Sequence, residues 1–248
     1  MAIPYDPDYE TPNHMILWLD VGIGQPGEYR HLKNAFASNS DPTTHITTKL
    51  TERDYGNLIR TKDAVPMIFE GVWILLQVFD NEGDCLRAFE KYRNRRIFFI
   101  TSGSLGQNIV PQILANYPDV FTNRITQSPF NSIYVFCLDM PFHTEWAINY
   151  VDYIQMFDFD ADLLTCLTHD IANYFVSEGQ YLDQNALPQD ALVRFGWAKK
   201  LLMRYNDMLN RQTSRELDDL EQLIARAEEM KRSQRPDDNT DEQGSACS

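Results

Sequence analysis

Two short stretches set small, polar and acidic residues directly after apolar runs, the place where an α/β sheet presents its ligand-binding groups. The first is Asp20-Val21-Gly22-Ile23-Gly24-Gln25-Pro26-Gly27. The second is Thr101-Ser102-Gly103-Ser104-Leu105-Gly106. Gly22-x-Gly24-x-x-Gly27 has the spacing of a dinucleotide fingerprint, whose backbone amides cradle a pyrophosphate at a helix start. Three features count against it. Pro26 removes an amide donor, Asp20 puts a negative charge beside the loop, and no clean acidic strand end follows about 20 residues on. A tight structural turn is the preferred reading. Ser102 and Ser104 evoke a nucleophile elbow, but the G-x-S-x-G order is absent and only His143 and His169 follow as candidate bases. Capping of the next helix accounts for the two hydroxyls. The candidate site is therefore a binding crevice of Asp20, Gly22, Gly24, Thr101, Ser102, Gly103 and Ser104, with no catalytic set, no metal and no cofactor expected.

Other chemistry-bearing residues have simpler explanations. His169-Asp170 looks like the pair of metal-dependent phosphohydrolases, but the further His and Asp ligands are not in place, so an exposed helical pair is expected. Asp158, Asp160 and Asp162 have calcium-loop spacing, yet the intervening apolar residues and the missing central glycine leave helix capping. Of Cys85, Cys137, Cys166 and Cys247, none forms a C-x-x-C pair, and Cys137 reads as a buried core thiol. With 36 acidic against 22 basic residues the net charge is −14, which repels phosphate backbones and excludes nucleic acid as an expected partner. The basic cluster Lys91-Tyr92-Arg93-Asn94-Arg95-Arg96 suits a helix C-terminus. Neither a signal peptide nor a bilayer-length apolar run is evident, so a cytoplasmic protein with reduced thiols and no membrane contact is expected.

The elements that must position the crevice are strands of continuous apolar sequence alternating with amphipathic helices. Strands are expected at 14–21, 73–79, 97–100, 132–138 and 151–157. Helices are expected at 26–38, after Asp84, from Gln107, at 145–150 and at 161–177. That alternation predicts an α/β fold with an open five-stranded parallel sheet of order 2-1-3-4-5. Residues 39–72 read as an insertion with small elements of its own. Residues 1–13 form a flexible arm, 14–177 the α/β domain, 178–232 a C-terminal helical extension, and 233–248 a disordered acidic tail. In the extension, Tyr174, Gly179, Ala191, Phe195 and Ala198 have the spacing of a tetratricopeptide-like hairpin, followed by a charged, solvated helix with Leu217, Leu220, Ile224 and Ala227.

Leu17-Trp18-Leu19-Asp20-Val21-Gly22-Ile23-Gly24, the string from Phe99 to Pro111, and Ser132-Ile133-Tyr134-Val135-Phe136-Cys137 together resemble a receiver-like α/β domain. That domain stands at the front of multidomain proteins of rotifers and some other invertebrates, before tetratricopeptide arrays or an arginine-type ADP-ribosyltransferase. The resemblance covers roughly 14–177 and implies a flavodoxin-like or receiver-like fold without catalytic residues to carry over. True receivers have an acidic pair, a phosphoacceptor Asp and a Lys at three strand ends. Here those ends are Asp20 alone, Thr101-Ser102 and Phe157-Asp158, so aspartyl phosphorylation is not expected. The expected function is a non-catalytic protein-interaction or regulatory module whose partner protein docks on the C-terminal helices. The alternatives are a nucleotide-binding enzyme or sensor at the crevice, and an accessory domain of an ADP-ribosyltransferase system. Oligomeric state is left open.

Overall fold

Successive side chains of a strand point to opposite faces, so a run that is apolar at every position needs cover on both sides. The structure, a computed structural model, describes residues 12–41, 46–123, 127–212 and 214–234. The expected arm and tail lie almost wholly outside the described residues. Strand β1 (His14–Leu19) is buried along its whole length. Met15, Leu17 and Leu19 enter one core, and Ile16 and Trp18 the other. It lies between β5 (Val72–Phe79) and β6 (Arg96–Ser102), parallel to both. Strands β7 (Ile133–Phe136) and β8 (Ile154–Phe157) continue in parallel beyond β6.

On the far side of β5 the sheet turns antiparallel through β4 (Val65–Phe69), β2 (Phe36–Asp41) and β3 (Ile46–Lys49). The fold is α/β, but its sheet is eight-stranded and mixed, with order β3-β2-β4-β5-β1-β6-β7-β8. This corrects the expected five-stranded parallel sheet in strand count and in the order of the sheet as a whole; the five expected strands form its parallel part, β5-β1-β6-β7-β8, in the relative order 2-1-3-4-5. The added strands come from the segment expected to be an insertion. Glu70 and Gly71, with φ of 46° and 88°, make a two-residue hairpin that folds β4 back on β5. The helix expected over 26–38 contracts to α1 (Arg30–Lys33), because Phe36 opens β2 and pairs with Phe69. Between β3 and β4 lies α2 (Glu52–Leu58), started by a capping box of Thr51 and Asp54.

One face of the sheet carries α3 (Glu82–Tyr92), α4 (Gly103–Asn116) and α5 (Met140–Ala147), packed through Phe89, Ile109, Ile113 and Ala147. The other carries α6 (Asp160–Gln184) and α7 (Pro188–Met208), whose Leu167, Ile171, Phe175, Phe195 and Trp197 cover Trp18 and Phe98. The boundary expected at 178 falls inside α6. Helix α8 (Arg215–Ser233) is not the solvated helix expected: Leu220 and Ala227 are buried, and Arg226 donates to Asp183 of α6 at 2.6 and 3.0 Å. The α6–α7 pair does form an antiparallel hairpin, with Gly179 beneath the Phe195 ring. Its apolar face closes the α/β core.

Candidate functional site

The carboxyl ends of β1, β6 and β7 converge on one rim of the sheet, where the loops after them meet. Asp20 follows β1 and is almost fully buried. Its Oδ1 accepts from the Gly22 amide at 2.5 Å and its Oδ2 from the Tyr29 hydroxyl at 2.6 Å. Burial, reinforced by the Asp20 charge, pushes the Tyr29 phenol far above its ordinary value. Asp20 thus clamps its own loop. Gly24 lies further round it, against Ile59.

The start of α1 is also taken. The carboxylate of Asp160, at the start of α6, accepts from the amides of His31 at 2.7 Å and Leu32 at 3.4 Å and meets His31 Nδ1 at 2.8 Å. A carboxylate of the chain itself sits where the fingerprint would hold a pyrophosphate. Behind it, buried Lys33 donates to the Gln25 carbonyl at 2.9 Å and to Glu52 at 2.7 Å, and Tyr55 donates to the Lys33 carbonyl at 2.8 Å. Two carboxylates and a lysine brace the loop from inside.

The second stretch is arranged differently. Thr101 is buried at the end of β6, and Ser102 is the extended N-cap residue of α4. The capping expected of the serines is not made: Ser102 forms no side-chain cap bond, and the first turn of α4 has no acidic residue. Gly103 and Gly106, expected in a turn, lie within α4. A Cβ on Gly103 would stand 2.5 Å from the His143 ring, and one on Gly106 would stand 3.3 Å from Trp146. Two glycines one turn apart let α5 lay an imidazole and an indole directly on the α4 backbone.

His143 is buried, and its Nδ1 accepts from Trp146 Nε1 at 3.2 Å. An indole nitrogen only donates, so the imidazole hydrogen is assigned to Nε2. That nitrogen lies beside Gly103, 2.6 Å from where its Cβ would be. Among the described residues no hydrogen bond joins His143 to Ser102 or Ser104. With Nδ1 engaged and Nε2 protonated, the ring has no free lone pair for a serine proton. The rim therefore offers donors: the open amides of α4 and an imidazole N–H. Around it Val21, Leu138 and Phe142 are 68%, 83% and 69% exposed. Phe142 meets the His143 ring edge-on at 5.0 Å.

The remaining candidates are spent on structure. His169 and Asp170 diverge. His169 stacks on Tyr205 at 4.4 Å and meets Glu216 at 2.9 Å. Asp170, expected to be exposed, turns inward to accept from the Tyr134 hydroxyl at 2.9 Å and Gln155 at 2.8 Å. Burial raises its carboxyl, with those hydrogen bonds pulling the other way. Arg95 donates to the Pro12 carbonyl and Arg96 to that of Val120, while the Arg96 guanidinium lies 3.4 Å over the Phe130 ring. Burial pushes the Cys137 thiol up to about 11. Among the described residues no cluster of His, Cys, Asp and Glu is placed to hold a metal, and no helix is long and apolar enough to cross a membrane.

Sequence reasoning named seven residues, Asp20, Gly22, Gly24, Thr101, Ser102, Gly103 and Ser104, from their place after apolar runs, but it missed His143 as a partner of Gly103. The available signal was the shared spacing of Gly103-x-x-Gly106 and His143-x-x-Trp146. No protein-family model, curated protein or solved structure matches the chain.

Proposed function

We propose that the protein is a non-catalytic interaction module that holds an acidic group of a partner protein at the rim of β1, β6 and β7. The observation that carries this reading is the first turn of α4, which is uncapped, free of acids and faced by the His143 Nε2–H. A carboxylate or phosphate placed there gains backbone donors and the positive end of the helix dipole. Val21, Leu138 and Phe142 supply apolar contact for the residues flanking that group. A donor-only site suits recognition. This reading places the docking surface at the rim; the C-terminal helices turn most of their apolar residues into the core and leave Tyr181 and Met203 exposed.

The test is a peptide array presenting aspartate, glutamate, phosphoserine and free C-terminal carboxylates beside leucine or phenylalanine. The acidic-apolar peptides should bind, and Leu138→Asp with Phe142→Asp should weaken them at least tenfold without lowering the melting temperature. Equal binding by the double variant would remove the rim from the reading. Stabilisation by millimolar NAD, ATP or GTP instead would favour a nucleotide sensor at the same crevice.

A further inference from the structure

On the same face of the sheet, but beyond α3, the chain builds a groove of about 490 Å³ between α3 and the segment after α2. Its lining includes Arg60, Lys62, Arg87 and Lys91, four of the 22 basic residues of a chain with net charge −14. Lys91 is paired with Asp63, and Arg87 with Asp84. Arg60 and Lys62 are exposed, and among the described residues neither side chain has an acidic partner. Asp84 lines the groove as well and pairs with Arg87, so the positive potential of the cleft comes from Arg60 and Lys62.

The floor of the groove carries a second observation. Gln77 is the polar residue between Leu75 and Phe79 on the α3-facing side of β5, and it is 4% exposed. Its Nε2 donates to the Lys62 carbonyl at 3.3 Å, which leaves Oε1 as the acceptor. That Oε1 is buried without a donor. A buried amide oxygen left unpaired is costly, and a ligand donor would recover that cost. The same side chain also ties the floor to the backbone that carries Arg60 and Lys62.

We propose that this groove is a binding site for a small hydroxylated phosphomonoester. The phosphate is held by Arg60 and Lys62, and a ligand hydroxyl donates to Gln77 Oε1. Phe79 and Ala88 supply apolar wall, and the volume falls in the range of small-molecule pockets. The site is separate from the α4 rim, so the two readings stand or fall independently.

The test is calorimetric titration of the full 248-residue chain with inorganic phosphate, a hexose phosphate and the free hexose. The hexose phosphate should bind more tightly than phosphate, the free hexose should not bind, and rising salt should weaken both anions. Arg60→Glu with Lys62→Glu should reduce affinity for both anions at least tenfold while leaving the melting temperature of the unliganded protein unchanged. Gln77→Leu should abolish the preference for the hexose phosphate over phosphate. Leu138→Asp with Phe142→Asp should bind the hexose phosphate as wild type does. No binding at millimolar ligand, or equal binding by wild type and the Arg60/Lys62 variant, would overturn the proposal.

Discussion

The imidazole of His143 lies on the α carbon of Gly103, so closely that a methyl group there would stand 2.5 Å from the ring. The contact fixes the separation of α4 and α5 and the direction of the imidazole N–H at the rim. Gly103→Ala should overpack it and cost about 1–3 kcal/mol in urea denaturation. Adding His143→Ala should recover part of that loss. Strictly additive costs would mean that the two residues do not share the contact.

Asp170 gives a pH dependence of defined sign. Its carboxyl is raised above the ordinary value of 3.8, so the folded state takes up a proton at a higher pH than the unfolded chain does. Its unfavourable contribution is full at neutral pH and is relieved as pH falls through the raised value toward 3.8. Asp170→Asn should raise the melting temperature at neutral pH and lose that advantage in mild acid. A constant difference between the two proteins across that range would refute the assignment.

The described cysteines should be poor nucleophiles. Burial raises the thiols of Cys137 and Cys166 to about 11 and about 12, and that of Cys85 well above its ordinary value. In a Cys247→Ser background, a chromogenic disulfide reagent near pH 8 should react slowly with the native protein and rapidly in urea. Fast reaction of one equivalent in the native state would identify an accessible thiolate instead.

Arg226→Ala should loosen α8 from α6. The arginine is half exposed, but its partner Asp183 is 2% exposed and would be left without its cation. A loss of about 1–2 kcal/mol is expected by chemical denaturation, discounted for the solvent around Arg226. Proteolysis within α8 should rise in parallel.

The central strands were legible because a doubly covered strand is apolar at every position, as β1 and the core of β6 are. Strand β4 was not. Its sequence Val65-Pro66-Met67-Ile68-Phe69 contains a proline, which argues against a strand with neighbours on both sides. The structure accommodates it because β2 pairs with β4 only at Ile68 and Phe69 and leaves Pro66 beyond the end of that pairing. Glu70-Gly71 between two apolar runs was the readable hairpin signal. At the site, the position of Ser102 and Gly103 after a strand was legible. The reason for the glycine was not, because it lies in α5, far along the chain. Asp160 was read as a helix cap of its own element, and only the fold shows it serving α1.

The strands that bear Trp18 and Phe98 on one face of the sheet precede the helices that cover them: β6 ends at Ser102 and α6 begins at Asp160. Until α6 and α7 emerge, a nascent chain carries that apolar surface open to solvent, which invites chaperone binding or self-association. Ending the chain at residue 177 would leave that face only partly covered: α6 would stop before the turn that brings Phe195 and Trp197 back over the sheet. The hairpin thus acts as the closing step of folding, and a chain that stops short of it lacks a finished core on that face.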